Sequence, residues 1–341
     1  MRLEYETLEL RTREPFHIAR PSDPHGRRNV WVRLLDGEGH EGWGEAAATP
    51  FYGDTAETVS AALGRYGVVL EGLDDPFALD RAEGRLLDAV GGNPSARAAL
   101  SAALHDLVGK RLGQPVWRIW GLDPGDAPRS SYTLAMAPPA ETRERARRNA
   151  HRPVLKVKVG GGEDEARLRA LRDEAPEAVV YVDANTAWTA KEALRQIPMM
   201  EELGIAFVEQ PLHPDDHDGL RLLRQRSRLP IIADESCRTA ADIPRLLGAV
   251  DGINITLAKA GSLREALRMV HVARAHGLIV MLGCMLQSTL GIAATVQLAP
   301  LMDYLDLDGA LLLENDPFTG PGMNDDGTLR FNTEPGLGVS R

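Results

Sequence analysis

The chain has 341 residues, 43% hydrophobic and 26% charged, which allows one large domain with a sizeable core and a smaller companion. A formal charge of −10, with no dense Lys/Arg run, argues against nucleic acid and anionic membranes as partners. Two cysteines, Cys237 and Cys284, cannot build a disulfide framework, so a reducing, cytoplasmic setting is expected.

The opening MRLEYETLEL is charged and alternating, which reads as a strand and not as a signal peptide. Alternating segments at Leu3–Leu10, Val30–Leu35 and Glu41–Trp43, joined by turns such as DGEGHEG, predict an antiparallel sheet. Helical patterns follow at Ala56–Leu70 and Leu79–Val90, and a third opens at Asn93-Pro94-Ser95 and runs to Leu112, before Gly113 and Pro115. This first third is an α+β module, and Gly121–Ser130 marks a boundary after it.

Beyond that boundary strands and helices alternate. Strands are expected at Ser131–Ala135, Val154–Val159, Val179–Asp183, Ala206–Glu209, Ile231–Asp234, Gly252–Ile255, Leu278–Leu282 and Tyr304–Asp308. Amphipathic helices fit Glu163–Glu174, Thr189–Leu203, Ala240–Leu247 and Leu263–His276. Eight strands with a helix in each gap predict an α/β fold, a parallel (β/α) barrel. No charged residue occurs from Gly277 to Met302, a length that could span a bilayer. Gly283, Gln287, Ser288, Gly291, Gln297 and Pro300 interrupt it, so a buried strand followed by a buried helix (Ser288–Leu298) is the better reading. No helix pattern follows the last strand, and the tail Glu314–Arg341 reads as irregular chain returning to the first module.

Three acids end successive strands: Asp183 in YVDAN, Glu209 in FVEQP and Asp234 in IIADES, spaced 26 and 25 residues apart. Singly, each could be a helix N-cap or a solvated strand end. Together, at the C-terminal mouth of a barrel, three carboxylates suit octahedral Mg²⁺, and no Cys/His set of the kind zinc prefers lies nearby. Lys156 and Lys158 precede them, two apart and therefore on one strand face, and Lys259 follows Asp234 by another 25 residues. A K-x-K pair is commonly a solvated edge. Inside a barrel, its mutual repulsion and desolvation would lower the pKa of one amine, as a general base requires. Asp306 and Asp308 in LDLDG again share a face and fit either a solvated turn or a pair that binds an ammonium group.

Other groups read as structural. His213 and His217 follow Pro211 and suit a surface helix. Cys237 lacks a His base, and Gly160–Gly162 form no dinucleotide fingerprint.

In chain order, GWGEAAATPFYGDT, SYTLAM, LKVKVG, VDANTAW, FVEQPL, IADES, LAKAGS and GCMLQSTLG resemble the enolase superfamily, in its muconate-lactonizing-enzyme-like subgroup. The closing LDLDG is similar to the Asp-x-Asp feature of its dipeptide epimerases. The resemblance covers essentially the whole chain. It implies a modified (β/α)7β barrel (residues 121–314) with an α+β capping domain (1–120, completed by 315–341). It further implies Mg²⁺ on Asp183, Glu209 and Asp234, with Lys158 and Lys259 as the two acid/base catalysts and Lys156 and Asn185 in support. Asp306 and Asp308 would hold a substrate ammonium, Thr133 would contact substrate, and Arg20 in the loop Phe16–Arg28 could pair with a side-chain carboxylate. The implied reaction is epimerisation of an L,L-dipeptide to the L,D form through an enediolate. The alternative is o-succinylbenzoate synthase or N-succinylamino acid racemase chemistry, which uses the same lysines and metal. Where the family often carries an acid in the seventh-strand motif this chain has Gln287, which bears on the hydrogen bonding expected around Lys259. The partner is then a small molecule, and a homo-oligomer is compatible with the sequence.

Overall fold

The computed structural model describes residues 1–341. Alternation in RLEYETLELR and GRRNVWVRLL builds two ten-residue strands, β1 (Arg2–Arg11) and β2 (Gly26–Leu35), paired antiparallel from Arg2 opposite Leu35 to Arg11 opposite Gly26. β3 (Glu41–Ala46) pairs with the other edge of β2. The inward residues Val30, Val32 and Leu34 are fully buried against α1 (Ala56–Glu71), α2 (Leu79–Ala89) and α3 (Pro94–Leu112). The sheet rests close upon α3 because Gly44 carries no side chain; a Cβ there would strike the main-chain carbonyl of Ala99.

A short α4 (Val116–Ile119) leads to the second unit. Its eight strands are β4 (Tyr132–Leu134), β5 (Val154–Lys158), β6 (Val179–Asp183), β7 (Ile205–Glu209), β8 (Ile231–Ala233), β9 (Gly252–Ile255), β10 (Ile279–Gly283) and β11 (Tyr304–Asp306). They lie side by side in chain order, all parallel, and the bridge Ser130–Leu305 joins the last to the first. The intervening helices are α5 (Pro139–Arg148), α6 (Asp164–Glu174), α7 (Ala190–Glu202), α8 (His217–Arg226), α9 (Ile243–Leu246), α10 (Leu257–Ala260), α11 (Leu263–Ala275) and α12 (Thr289–Val296). No helix follows β11, and a small hairpin, β12 (Gly322–Met323) with β13 (Leu329–Arg330), closes the chain. No helix is long and apolar enough to cross a membrane.

One difference from the sequence reading has a local cause: the helix expected over Ala240–Leu247 contracts to α9, because Pro244 lacks the N–H that an earlier start would need. Lys259 lies in the single turn α10 beyond β9.

Barrel strands bury both faces. Outward residues such as Val180, Val182, Val208 and Ile253 pack on the helices in a 55-residue core. Inward, Tyr181, Phe207, Ile232 and Met281 form a separate plug, with Tyr181 stacked on Phe207 at 4.4 Å. Side chains alternate along a strand, so the next inward positions are Asp183 and Glu209 on β6 and β7 and Asp234 just past β8. An apolar floor therefore lies beneath a charged layer.

The tail from Glu314 ties back to the first unit. Glu314 N–H donates to the Arg11 carbonyl (3.0 Å), Leu337 N–H to Asp106 Oδ1 (2.7 Å), and Gly336 N–H to the Gln114 carbonyl (3.0 Å).

Candidate active site

Strand register assembles the charged layer. Lys158 on β5 is level with Asp183 on β6, and Asp183 with Glu209 on β7. Thr133 on β4 is level with Lys156. Lys158 Nζ lies 2.6 Å from Asp183 Oδ2 at one end of the acid trio. At the other end Lys259 Nζ pairs with Asp234 Oδ1 and donates to the carbonyls of Asp234 (2.7 Å) and Asn254 (3.0 Å). Lys156 sits among the acids, 2.7 Å from Glu209 Oε2, 2.7 Å from Asp306 Oδ2 and 3.1 Å from Asp183 Oδ2.

The crowding of the two lysines predicts a lowered pKa for one of them, and Lys156 is not that one. Burial does oppose its charge, but Asp306, Glu209 and Asp183 together outweigh burial and hold the ammonium well above its ordinary range. Asp183 is shifted the other way from most buried acids: burial would raise it, yet Lys158 and Lys156 keep it far below the usual carboxylate range. Glu209 is pushed up to about 8, first by burial and then by the charges of Asp183 and Asp234. Asp308 rises to about 7 through burial and the neighbouring Asp306, whereas Asp306 is held low because Lys156 outweighs its burial.

As the side chains stand, no group of three or more His, Cys, Asp or Glu residues forms a metal cage. The donor set nonetheless suits a hard divalent cation. The trio offers only oxygens, Glu209 Oε2 is buried with no aligned hydrogen-bond donor, and the charges of Asp183 and Asp234 add to burial in raising Glu209. Asp183, Glu209 and Asp234 are the residues that would hold it.

Above this layer lies a cavity of about 1000 Å³, roofed by the loop between β1 and β2 and by residues Ala47–Phe51. Thr133, Lys156, Lys158, Asp183, Asn185, Glu209, Asp234, Asp306 and Asp308 all line it, as does Arg20. Lys259 does not; its side chain is fully buried behind Asp234. Thr133 Oγ1 and Ser131 Oγ donate to Asp306 Oδ1 (3.0 and 2.9 Å), and Thr133 N–H donates to Asp308 Oδ2 (2.6 Å). Asn185 donates to Asp183 through both its main chain and its amide (2.9 and 3.2 Å). Arg20 pairs with the buried Glu235 and lies over the Phe51 ring, so its charge already has a partner within the protein.

The residues set aside as structural stay away from the cavity. His213 is exposed, and His217 opens α8. Burial pushes the Cys237 thiol up to about 12. Gly160 and Gly161 donate their N–H groups to Asp164. Gln287 is buried and packs against Gly291, and it makes no hydrogen bond with Lys259, whose partners are Asp234, Asn254 and Cys237.

Sequence reasoning missed Asn254, whose amide donates to Glu209 Oε1 (2.7 Å) and which lines the cavity. Its signal was available: Gly252–Ile255 is a barrel strand, and alternation turns Asn254 inward. It also missed Gln210, whose Oε1 accepts from Asp234 N–H (2.8 Å) and Ser236 N–H (3.0 Å), holding the loop that carries Asp234. Gln210, Asn185 and Thr186 all have positive φ (32°, 44° and 70°), so backbone strain gathers at this rim.

Two family models match the chain: "Mandelate racemase / muconate lactonizing enzyme, N-terminal domain" over residues 4–121, and "Enolase C-terminal domain-like" over residues 140–340. A protein of Maribacter sp. named L-Ala-D/L-amino acid epimerase is 37% identical, over 99% of this chain and 98% of its own length. The L-Ala-D/L-Glu epimerase of Bacteroides thetaiotaomicron is 36% identical, over 100% of this chain and 88% of its own. Among solved structures, the dipeptide epimerase of Enterococcus faecalis complexed with Mg and L-Leu-L-Tyr superposes with a TM-score of 0.94 at 29% identity, covering 100% of this chain and 99% of that one.

Proposed function

Because the chain belongs to the mandelate racemase/muconate lactonizing enzyme family of the enolase superfamily, we propose that it epimerises dipeptides by moving a proton across one α-carbon. The observation that carries this reading is the row Lys158–Asp183–Glu209 in register on three strands, continued by the Asp234–Lys259 pair. It sets an amine at each end of one acidic trio. We assign the capping role to residues 1–120 with 315–341, and the catalytic groups to 121–314.

A proton α to a carboxylate is weakly acidic, and its removal leaves an enediolate whose charge must be offset. Mg²⁺ held by Asp183, Glu209 and Asp234 would supply the positive charge that offsets it. Lys158 and Lys259 act as the two proton-transfer groups, one removing the α-proton and the other returning one to the opposite face. Lys156, kept cationic by three acids, lends fixed positive charge beneath the site. Asn185 and Asn254 orient Asp183 and Glu209. Asp306 and Asp308 receive the substrate ammonium. An arriving cation beside Asp308 favours its ionised form, so the pair binds a free amine and repels the carboxylate of a succinylated substrate.

The test is mass spectrometry of an L,L-dipeptide library incubated with the protein and Mg²⁺ in D₂O. Deuterium gained by the C-terminal residue of at least one dipeptide is the expected result. Turnover of a succinylated substrate with no dipeptide exchanging would sink the proposal.

A further inference from the structure

Gly283 ends β10 with a φ outside the left-handed region, so the backbone there does not call for glycine. What the glycine provides is space. The three atoms that a Cβ at this position would meet first all belong to Asn254 on the neighbouring β9: Nδ2 at 2.7 Å, Oδ1 at 2.9 Å and Cγ at 3.2 Å. The Asn254 amide therefore occupies the room that a side chain at 283 would take, a close approach that only glycine allows.

From that seat the amide reaches a carboxylate two strands away. Nδ2 donates to Glu209 Oε1 at 2.7 Å, while the Asn254 carbonyl accepts from Lys259 Nζ at 3.0 Å. Asn254 is 2% exposed, so water does not compete for these bonds. A glutamate has three side-chain torsions, and a carboxylate that is to meet a cation must be held in one setting of them. A charge-assisted hydrogen bond to Oε1 fixes that setting. Oε2, which faces Lys156 at 2.7 Å with no aligned hydrogen bond, stays available. An acid at 254 could not donate to Glu209 and would add like charge beside Asp183 and Asp234.

We propose that Gly283 and Asn254 form one positioning unit for the metal centre: the missing side chain at 283 seats the amide, and the amide holds Glu209 in the attitude that binds a divalent cation. This rests on the reading of Asp183, Glu209 and Asp234 as the ligands of that cation. The effect is therefore read in metal affinity and needs no substrate.

The test is titration of the full chain with Mn²⁺, with the free ion followed by its EPR signal. Asn254→Ala and Gly283→Ala should each weaken Mn²⁺ binding by about 10- to 100-fold. The double variant should bind no more weakly than Asn254→Ala alone, because no amide is left to displace. Gly283→Ala should fold, since the atoms it displaces are the free end of a side chain, and it decides the matter alone should Asn254→Ala not fold. Wild-type affinity in either variant, or a further loss on adding Gly283→Ala to Asn254→Ala, overturns the inference. The expected pattern with no dipeptide exchanged upholds it and overturns the epimerase reading alone. Failure of the wild type to bind Mn²⁺ overturns both.

Discussion

Two lysines two residues apart have opposite duties. Lys156 is 2% exposed and answers three carboxylates, whereas Lys158 reaches the cavity and answers one. Lys156→Met should therefore lose stability, by about 3–5 kcal/mol, because it strands buried charge. A urea midpoint unchanged from wild type would contradict that. Lys158→Ala should fold normally and lose epimerisation by a factor of about 10² to 10⁴, measured by the appearance of the L,D product; Lys259→Ala should lose it likewise but also some stability, because its fully buried ammonium is paired with Asp234. The site acids were legible in the sequence because each ends a short apolar run at a regular interval. Their partners were less so. Arg20 and Glu235 lie 215 residues apart, and the acids that reverse the shift of Lys156 come from three other strands, so only the folded register reveals them.

At the scale of elements, single side chains join the two units. Glu45 at the end of β3 accepts from Ser288 N–H and Ser288 Oγ and from Gly291 N–H at the start of α12, and from the Asn29 amide (2.7 Å). Glu45→Ala should cost about 3 kcal/mol by leaving those donors buried and unmatched, read as a lower denaturant midpoint. Gly160, at φ 116°, lies so close to the loop between β1 and β2 that a Cβ would come within 2.8 Å of the Ala19 Cβ and 2.5 Å of the Ala187 Cβ. Gly160→Ala should accordingly raise KM by loosening that roof. In α3, burial holds His105 down to about 4, with Nδ1 against the Ser101 carbonyl. The unfolded chain takes up its proton near pH 6.5 and the native chain does not until about pH 4, so this contribution to stability is complete above pH 6.5 and falls as the pH drops below it. Between pH 7 and pH 5 the loss is about 2 kcal/mol, and His105→Gln should remove that slope from urea titrations at the two pH values.

Across the molecule, the alternation of β and α segments made the barrel readable, since eight apolar runs with helices between them admit few arrangements. The missing last helix was readable too, from the Gly- and Pro-rich tail. The roof was not: the loop between β1 and β2 has no regular structure, and its course follows from contacts such as Arg20 with Glu235 and Met136 N–H with the His17 carbonyl. The central claim is that a lysine at either end of the acid trio moves a proton across a single α-carbon. Proton NMR of an L,L-dipeptide substrate in D₂O tests it most directly. With Mg²⁺ present, the α-proton signal of the C-terminal residue should vanish as the L,D product appears carrying deuterium, and EDTA should stop both changes. Inversion with the original α-proton retained, or exchange undiminished by EDTA, would contradict it.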